Sequence, residues 1–233
     1  MTLLPTASAA QEKDSSVLQS EAIARIDGFV DHFRKTGDFG TRIGDLREAE
    51  RELGATLEAF AGRGDFASAA LSLIKLGQTQ RMQGKWQAGL TYFQQAESMA
   101  RRANHPAHRV KALMGAAQCE DGLRDYGAAA SHVEQAITLA TPLADKSFLF
   151  DALDILAQIQ IKQGNLNAAA DSLNRAFALP GMKDESRFYG LLDRGDIYLK
   201  IAEKCDYQSN FDACFQALDR CRADYNNALA IAR

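Results

Sequence analysis

Apolar and small residues along this chain fall at steps of three and four, the spacing of one helical face, and nowhere alternate with polar residues over a β-branched run as a strand requires. The stretch GKWQAGLTYFQQAESMA, residues 84–100, shows the pattern plainly. Shifted by 40 residues it recurs: Leu46, Trp86, Tyr126 and Leu166 align, as do Ala49, Gly89, Ala129 and Ala169, then Leu53, Phe93, Val133 and Leu173, then Thr56, Ala96, Ala136 and Ala176. A period of that size marks a repeat architecture, in which each supersecondary unit buries its apolar face against the next.

Each copy is preceded by a turn signal, Gly44-Asp45, Gly84-Lys85, Arg124-Asp125 and Gly164-Asn165, where glycine suits a left-handed helix end and a polar residue starts the next helix. About fifteen residues upstream a second set matches, namely Leu73, Leu113 and Leu153, Leu76, Ala116 and Leu156, and Gly77, Ala117 and Ala157. The two sets predict a first (A) and second (B) helix of an αα-hairpin, with the small residues letting the two backbones approach closely. Pro106, Pro142 and Pro180 fall between hairpins, where a helix must stop.

These columns resemble the tetratricopeptide repeat: a leucine and a small residue in helix A, glycine and an aromatic at the corner, then alanine, a large apolar residue and alanine in helix B. LIKLGQTQRMQGKWQAGLTYFQQA (73–96), LMGAAQCEDGLRDYGAAASHVEQA (113–136) and LDILAQIQIKQGNLNAAADSLNRA (153–176) carry the resemblance. The period of 40 exceeds the minimal unit of about 34, as in kinesin light chains and bacterial peptide-sensing regulators. The resemblance implies an all-α, right-handed superhelical solenoid of five hairpins, at about 15–62, 66–103, 107–140, 147–179 and 186–233; residues 1–14, with only a short apolar run and no positive start, read as a disordered leader. The first copy is degenerate, with a glycine-rich break. In the last, Leu218, Cys221, Tyr225 and Ala228 match helix B, but AEKCDYQSNFDACFQ intervenes, which predicts an extended hairpin. The chain stops at ALAIAR without a polar cap, so further structure is expected over that end.

For such a solenoid the resemblance places a peptide or partner segment on the concave, helix-A face. Gln78, Gln118 and Gln158 occupy one helix-A position in three copies and Asp196 in another; an amide both donates and accepts, so a row of them suits an extended backbone. Ile74, Arg81, Lys111, Met114 and Asp154 are expected on the same face. The family's chaperone-tail clamp needs a lysine where Ile74 stands and an asparagine where Gln78 stands, so that ligand is not expected. Tyr207, Phe211 and Phe215, spaced four apart, form a candidate docking arm on the last hairpin.

Composition changes this picture little. The chain has 233 residues, 46% of them hydrophobic, and a net charge of −3, which gives no general electrostatic reason to bind nucleic acid or an anionic membrane. The basic run RRANHPAHRVK (101–111) lacks interleaved aromatics and reads as a solvated loop. No phosphate loop, nucleophile elbow or paired-histidine zinc motif is present, and Asp193 and Asp196 have no base beside them, so no catalysis, metal or cofactor is expected. Cys119, Cys205, Cys214 and Cys221 have no zinc spacing, and free thiols in a cytoplasmic protein are expected, with a Cys205–Cys214 bridge the alternative. The functional expectation is a noncatalytic protein-interaction scaffold; the alternative is a regulatory module of a larger protease, NTPase or transcription-regulator system.

Overall fold

The computed structural model describes residues 7–38, 40–181, 184–206 and 208–232. Among them every regular element is an α-helix, and the chain divides into two units, residues 1–123 and 124–233. The first holds α1 (Ala7–Thr36), α2 (Ile43–Gly62), α3 (Phe66–Met82), α4 (Trp86–Arg102) and α5 (Pro106–Gly122). The second holds α6 (Tyr126–Ala140), α7 (Ser147–Lys162), α8 (Leu166–Phe177), α9 (Asp184–Lys204) and α10 (Phe211–Ile231). Within each unit consecutive helices pack as hairpins, and each hairpin packs on the next. α1 begins at Ala7, inside the stretch expected to be a disordered leader; residues 1–6 of that leader lie outside the described residues.

The corners form for the expected local reasons. Gly84 and Gly164 have φ of 71° and 81°, in the left-handed region, and at the third corner Arg124 takes φ 64° without being glycine. Side-chain caps follow: the Asp65 carboxylate accepts the Ser68 N–H at 3.1 Å, Asp125 accepts the Ala128 N–H at 3.1 Å, and His105 Nδ1 accepts the His108 N–H at 3.2 Å. The first corner departs from the expected Gly44-Asp45 turn. Gly44 lies inside α2; the reversal comes earlier, at Gly37 (φ 69°) and in a turn where Asp38 accepts the N–H groups of Gly40 and Thr41. Asp45 accepts the Arg42 guanidinium instead of capping a backbone.

The cores lie where the columns put them. In the first unit Ile26, Phe29, Leu46, Leu53 and Leu76 close α1–α3, and Leu73, Leu90, Phe93, Ala112 and Cys119 close α3–α5. In the second, Leu166, Ala170, Leu173, Ile197, Tyr198 and Cys221 join α8, α9 and α10. Gly89 shows why small residues stand at the seam: a Cβ there would meet the Gly77 carbonyl oxygen at 3.3 Å and the Cys119 sulfur at 2.9 Å.

Trp86 packs across Gly122, whose added Cβ would lie 2.5 Å from the indole, yet the ring is only half-buried because its outer side faces solvent. A fully buried indole would cost about 3–5 kcal/mol on truncation, so Trp86→Ala is expected to cost about 1–3 kcal/mol. Urea unfolding followed by circular dichroism checks this. A loss at the full-burial value would show the outer side to be covered.

The last hairpin is extended, as α9 and α10 each run 21 residues against 16 and 12 in α7 and α8. The insert does not continue as one helix, however. It turns between Lys204 and Phe211, and the turn is closed by a disulfide between Cys205 and Cys214, with Cα atoms 5.6 Å apart. The expectation of four free thiols is therefore corrected to two, Cys119 and Cys221, both buried. The reason is geometric: Cys205 directly follows α9 and Cys214 sits in the first turn of α10, so closing the hairpin brings them together. No helix among the described residues is long and apolar enough to cross a membrane.

Candidate functional site

In the first unit α3 and α5 are neighbouring A-type helices, and they carry Gln78, Arg81, Lys111 and Gln118. Gln78 and Gln118 are half-buried and Lys111 is exposed. Ile74 and Met114 are not available as expected: at 1% and 8% exposure both belong to the interior, since the α3–α4–α5 seam takes up that side of their helices. Lys75 is committed to Asp27 of α1 at 2.6 Å, and Gln80 and Gln83 donate to the Glu50 carboxylate of α2.

Arg81 differs from these neighbours. Its side chain is half-buried, its Nε is shielded from water with no acceptor, and burial lowers its pKa, offset only by the nearby Cys119 thiol. The same surroundings push that thiol up to about 11. A guanidinium whose Nε is buried without an acceptor is costly, and it is a ready anchor for a carboxylate.

In the second unit the A-type helices are α7 and α9. Gln158 and Asp196 are exposed, and Asp154 is half-buried. Asp154 accepts the Gln158 amide at 2.9 Å, yet its pKa rises to about 6, first through burial and then through Asp193 and Asp151. Asp193 is raised too, by burial and then Asp196, against the pull of Lys200. Asp196 accepts the Tyr225 hydroxyl, which draws the tyrosine pKa upward. The Asp193 and Asp196 pair, given no role from the sequence because no base stands beside it, is thus one end of a carboxylate set that includes Asp154. The spacing within α9 gave no sign of this, because Asp154 comes from another hairpin.

Of the candidate arm, Tyr207 lies outside the described residues. Phe211 and Phe215 stack at 6.0 Å and are 61% and 54% exposed, so they do not fill the space between α9 and α10. What locks those helices is a pair that the periodicity does not reveal: the Arg194 guanidinium grips Asp224 with two hydrogen bonds, 2.8 and 2.6 Å, and its plane lies over the Phe177 ring. The arginines of the basic run are likewise occupied. Arg101 and Arg109 both pair with Glu97, and Arg102 lies 3.7 Å over the Phe66 ring. Among the described residues no group of three or more His, Cys, Asp or Glu is placed to hold a metal ion.

No protein-family model and no curated protein matches the chain. Solved structures do. A putative kinesin light chain from Podosopora anserina with nearly identical TPR-like repeats superposes with a TM-score of 0.62 at 15% identity, covering 91% of this chain and 97% of that one. BtubC (BKLC) from P. vanneervenii gives 0.59 at 12% identity over 94% and 91%, and MamA gives 0.54 at 15% identity over 84% and 97%. At such identities the likeness speaks to architecture, and with the 40-residue columns and the paired helices it leads to one conclusion: this chain has the tetratricopeptide-repeat fold.

Proposed function

We propose that the protein is a noncatalytic interaction scaffold whose A-type helices bind a segment of a protein or peptide partner. The observation that carries this reading is that these helices hold charged groups part-buried and short of partners. Arg81 lacks an acceptor at a buried Nε, and Asp154 has its pKa raised to about 6 with one amide donor beside it. Both arrangements lower stability, and a ligand of opposite charge would relieve each of them. Arg81, Gln78 and Gln118 suit a carboxylate-bearing segment, while Asp154, Asp193 and Gln158 suit a cationic side chain. Neutral hydrogen bonds of about 0.5–1.5 kcal/mol each fall short of the ~8 kcal/mol of micromolar affinity, so these charges are central to the reading.

The test is selection of a random peptide library on the wild-type chain, repeated on Arg81→Met and on Asp154→Asn. Acidic peptides enriched on the wild type and lost on Arg81→Met, or basic ones lost on Asp154→Asn, would establish the faces. Identical enrichment on all three proteins would remove the function from these helices.

A further inference from the structure

We propose that the Cys205–Cys214 bridge is a redox-sensitive clasp: oxidised, it holds the first two turns of α10, residues 211–218, against the end of α9, and a dithiol reductant releases those turns while the rest of the hairpin stays folded. Away from the turn, large side chains join the two helices. Ile197, Tyr198 and Cys221 share a buried cluster, Tyr225 rests on Gly195, whose added Cβ would lie 2.8 Å from the ring, and Arg194 grips Asp224. Towards the turn that packing runs out. α9 buries Ala202 there and α10 buries Cys214 and Ala217, whereas Phe211, Phe215 and Leu218 are all exposed and half-buried Ile201 packs back on the Tyr198 cluster.

The hydrogen bonds of the turn do not supply what is missing. Asp206 accepts the Ser209 hydroxyl at 2.6 Å and the Gln208 N–H at 3.0 Å, which shapes the turn but places no side chain between the helices, and Asn210 precedes α10 without a side-chain capping bond. Residues 211–218 are therefore held by two alanine methyl groups and the bridge, and two helical turns do not persist unaided, because helix nucleation is unfavourable. The regular corner of the same unit is built otherwise. Between α7 and α8, Ile159 is buried, and Ile161 and Leu166 pack into the cluster that joins α8 to α10. The extended hairpin outruns that kind of support, and a cystine stands where the shorter one has isoleucine and leucine.

The bridge is also approachable. Cys214 is buried, but Cys205 is half-buried beside an exposed turn, so an incoming thiolate attacks the Cys205 sulfur. A new S–S bond forms to the reductant as the Cys205–Cys214 bond breaks, and Cys214 leaves as a thiolate that takes up a proton. The second thiolate of the reductant then attacks the reductant's own sulfur in the mixed disulfide and frees Cys205, which is protonated in turn. Two electrons and two protons have passed to the protein, and the dithiol has become a cyclic disulfide. Residues 211–218 then lift away, and Phe211 and Phe215, stacked at 6.0 Å in the clasped form, lose their fixed arrangement. Cys221, two turns farther along, stays in its cluster.

The test compares the oxidised full chain, the same chain in excess dithiothreitol, and the chain carrying both Cys205→Ser and Cys214→Ser. A bridge across a separation of nine residues restricts the open chain by a factor on the order of a hundred. Hydrogen exchange at 211–218 is therefore expected to quicken at least about tenfold on reduction, with 221–228 unchanged. Iodoacetamide added to the reduced, folded protein should label Cys205 and Cys214 and spare Cys119 and Cys221. The doubly substituted chain should exchange like the reduced wild type with or without dithiothreitol, and circular dichroism checks that its remaining helices are intact. A bridge that persists in dithiothreitol overturns the proposal. So does unchanged exchange at 211–218, or a Cys214 that stays unlabelled once Cys205 has reacted, for then the turns hold without the bridge. Labelling of Cys221 at the same rate, or quickened exchange spreading to 221–228, overturns it from the other side, by showing that the bridge supports the whole hairpin. None of these readouts involves Arg81 or Asp154, so the peptide-library result is independent of this one.

Discussion

Cutting Phe93 back to alanine is expected to cost about 3–5 kcal/mol, more than the same truncation of the half-buried Trp86. The ring is 1% exposed and plugs the gap between α3 and α5, resting on Gly77 and Gly115 where no Cβ fits. The converse change is informative. Gly115→Ala would drive a methyl to 2.2 Å from the ring, and overpacking of that kind costs about 1–3 kcal/mol despite alanine's higher helix propensity. Phe93→Leu shortens the plug and opens the space that the methyl needs. The double variant is therefore expected to lose less than the sum of the singles, by more than the ~0.5 kcal/mol within which independent sites add. Trp86 is the only tryptophan and sits in the first unit, so urea unfolding by its fluorescence reads the relevant core. Strict additivity would mean that the ring does not depend on Gly115 for its place.

This pair also shows where the sequence stops being legible. The columns of the 40-residue period expose the helices, the corners and nearly every core position, because each is a local pattern repeated in register. Size matching between columns is not local. Phe93 with Gly115 in one copy gives way to Val133 with Ile155 in the next, both buried, and the exchange of large for small means something only once those positions are known to share a seam. The same limit hid the Arg194–Asp224 grip, the link from Asp154 to Asp193, and the Cys205–Cys214 bridge, each joining residues of different helices. Where the repeat is irregular, even local reading slipped: Gly44-Asp45 has the look of a corner, but Asp38 with Gly40 and Thr41 makes the turn earlier and leaves Gly44 helical. At the candidate site Gln78 and Gln158 of the glutamine column lie on the helices that also carry Arg81 and Asp154. What distinguishes Arg81 and Asp154 came from burial and, for Asp154, from the neighbouring Asp193 and Asp151 charges, and burial also withdrew Ile74 and Met114 from the surface.

Asp154→Asn is expected to stabilise the second unit at neutral pH by about 2–3 kcal/mol, since one unit of pKa corresponds to about 1.4 kcal/mol. The folded carboxyl titrates at about 6, raised from 3.8 by burial and by the Asp193 and Asp151 charges. The folded state thus binds the proton more tightly than the unfolded chain does. The stabilising effect of that proton is complete below about pH 4 and is lost as pH rises through about 6. Asparagine is the permanently neutral counterpart and still offers an oxygen to the Gln158 amide. The stability difference between variant and wild type should therefore be small near pH 4, grow up to about pH 6 and then level off; Asp154→Ala, which gives up the amide contact, should gain less. Lys200 acts on Asp193 and not directly on Asp154, so its removal should move the profile only slightly. A difference that does not vary with pH would show that the Asp154 carboxyl is solvated like any surface acid. If the profile holds, the chain keeps at neutral pH a charge that weakens its own fold. A cation-bearing partner gives that cost a purpose: it should bind the wild type better as pH rises through about 6, and should discriminate against Asp154→Asn although that variant is the more stable protein.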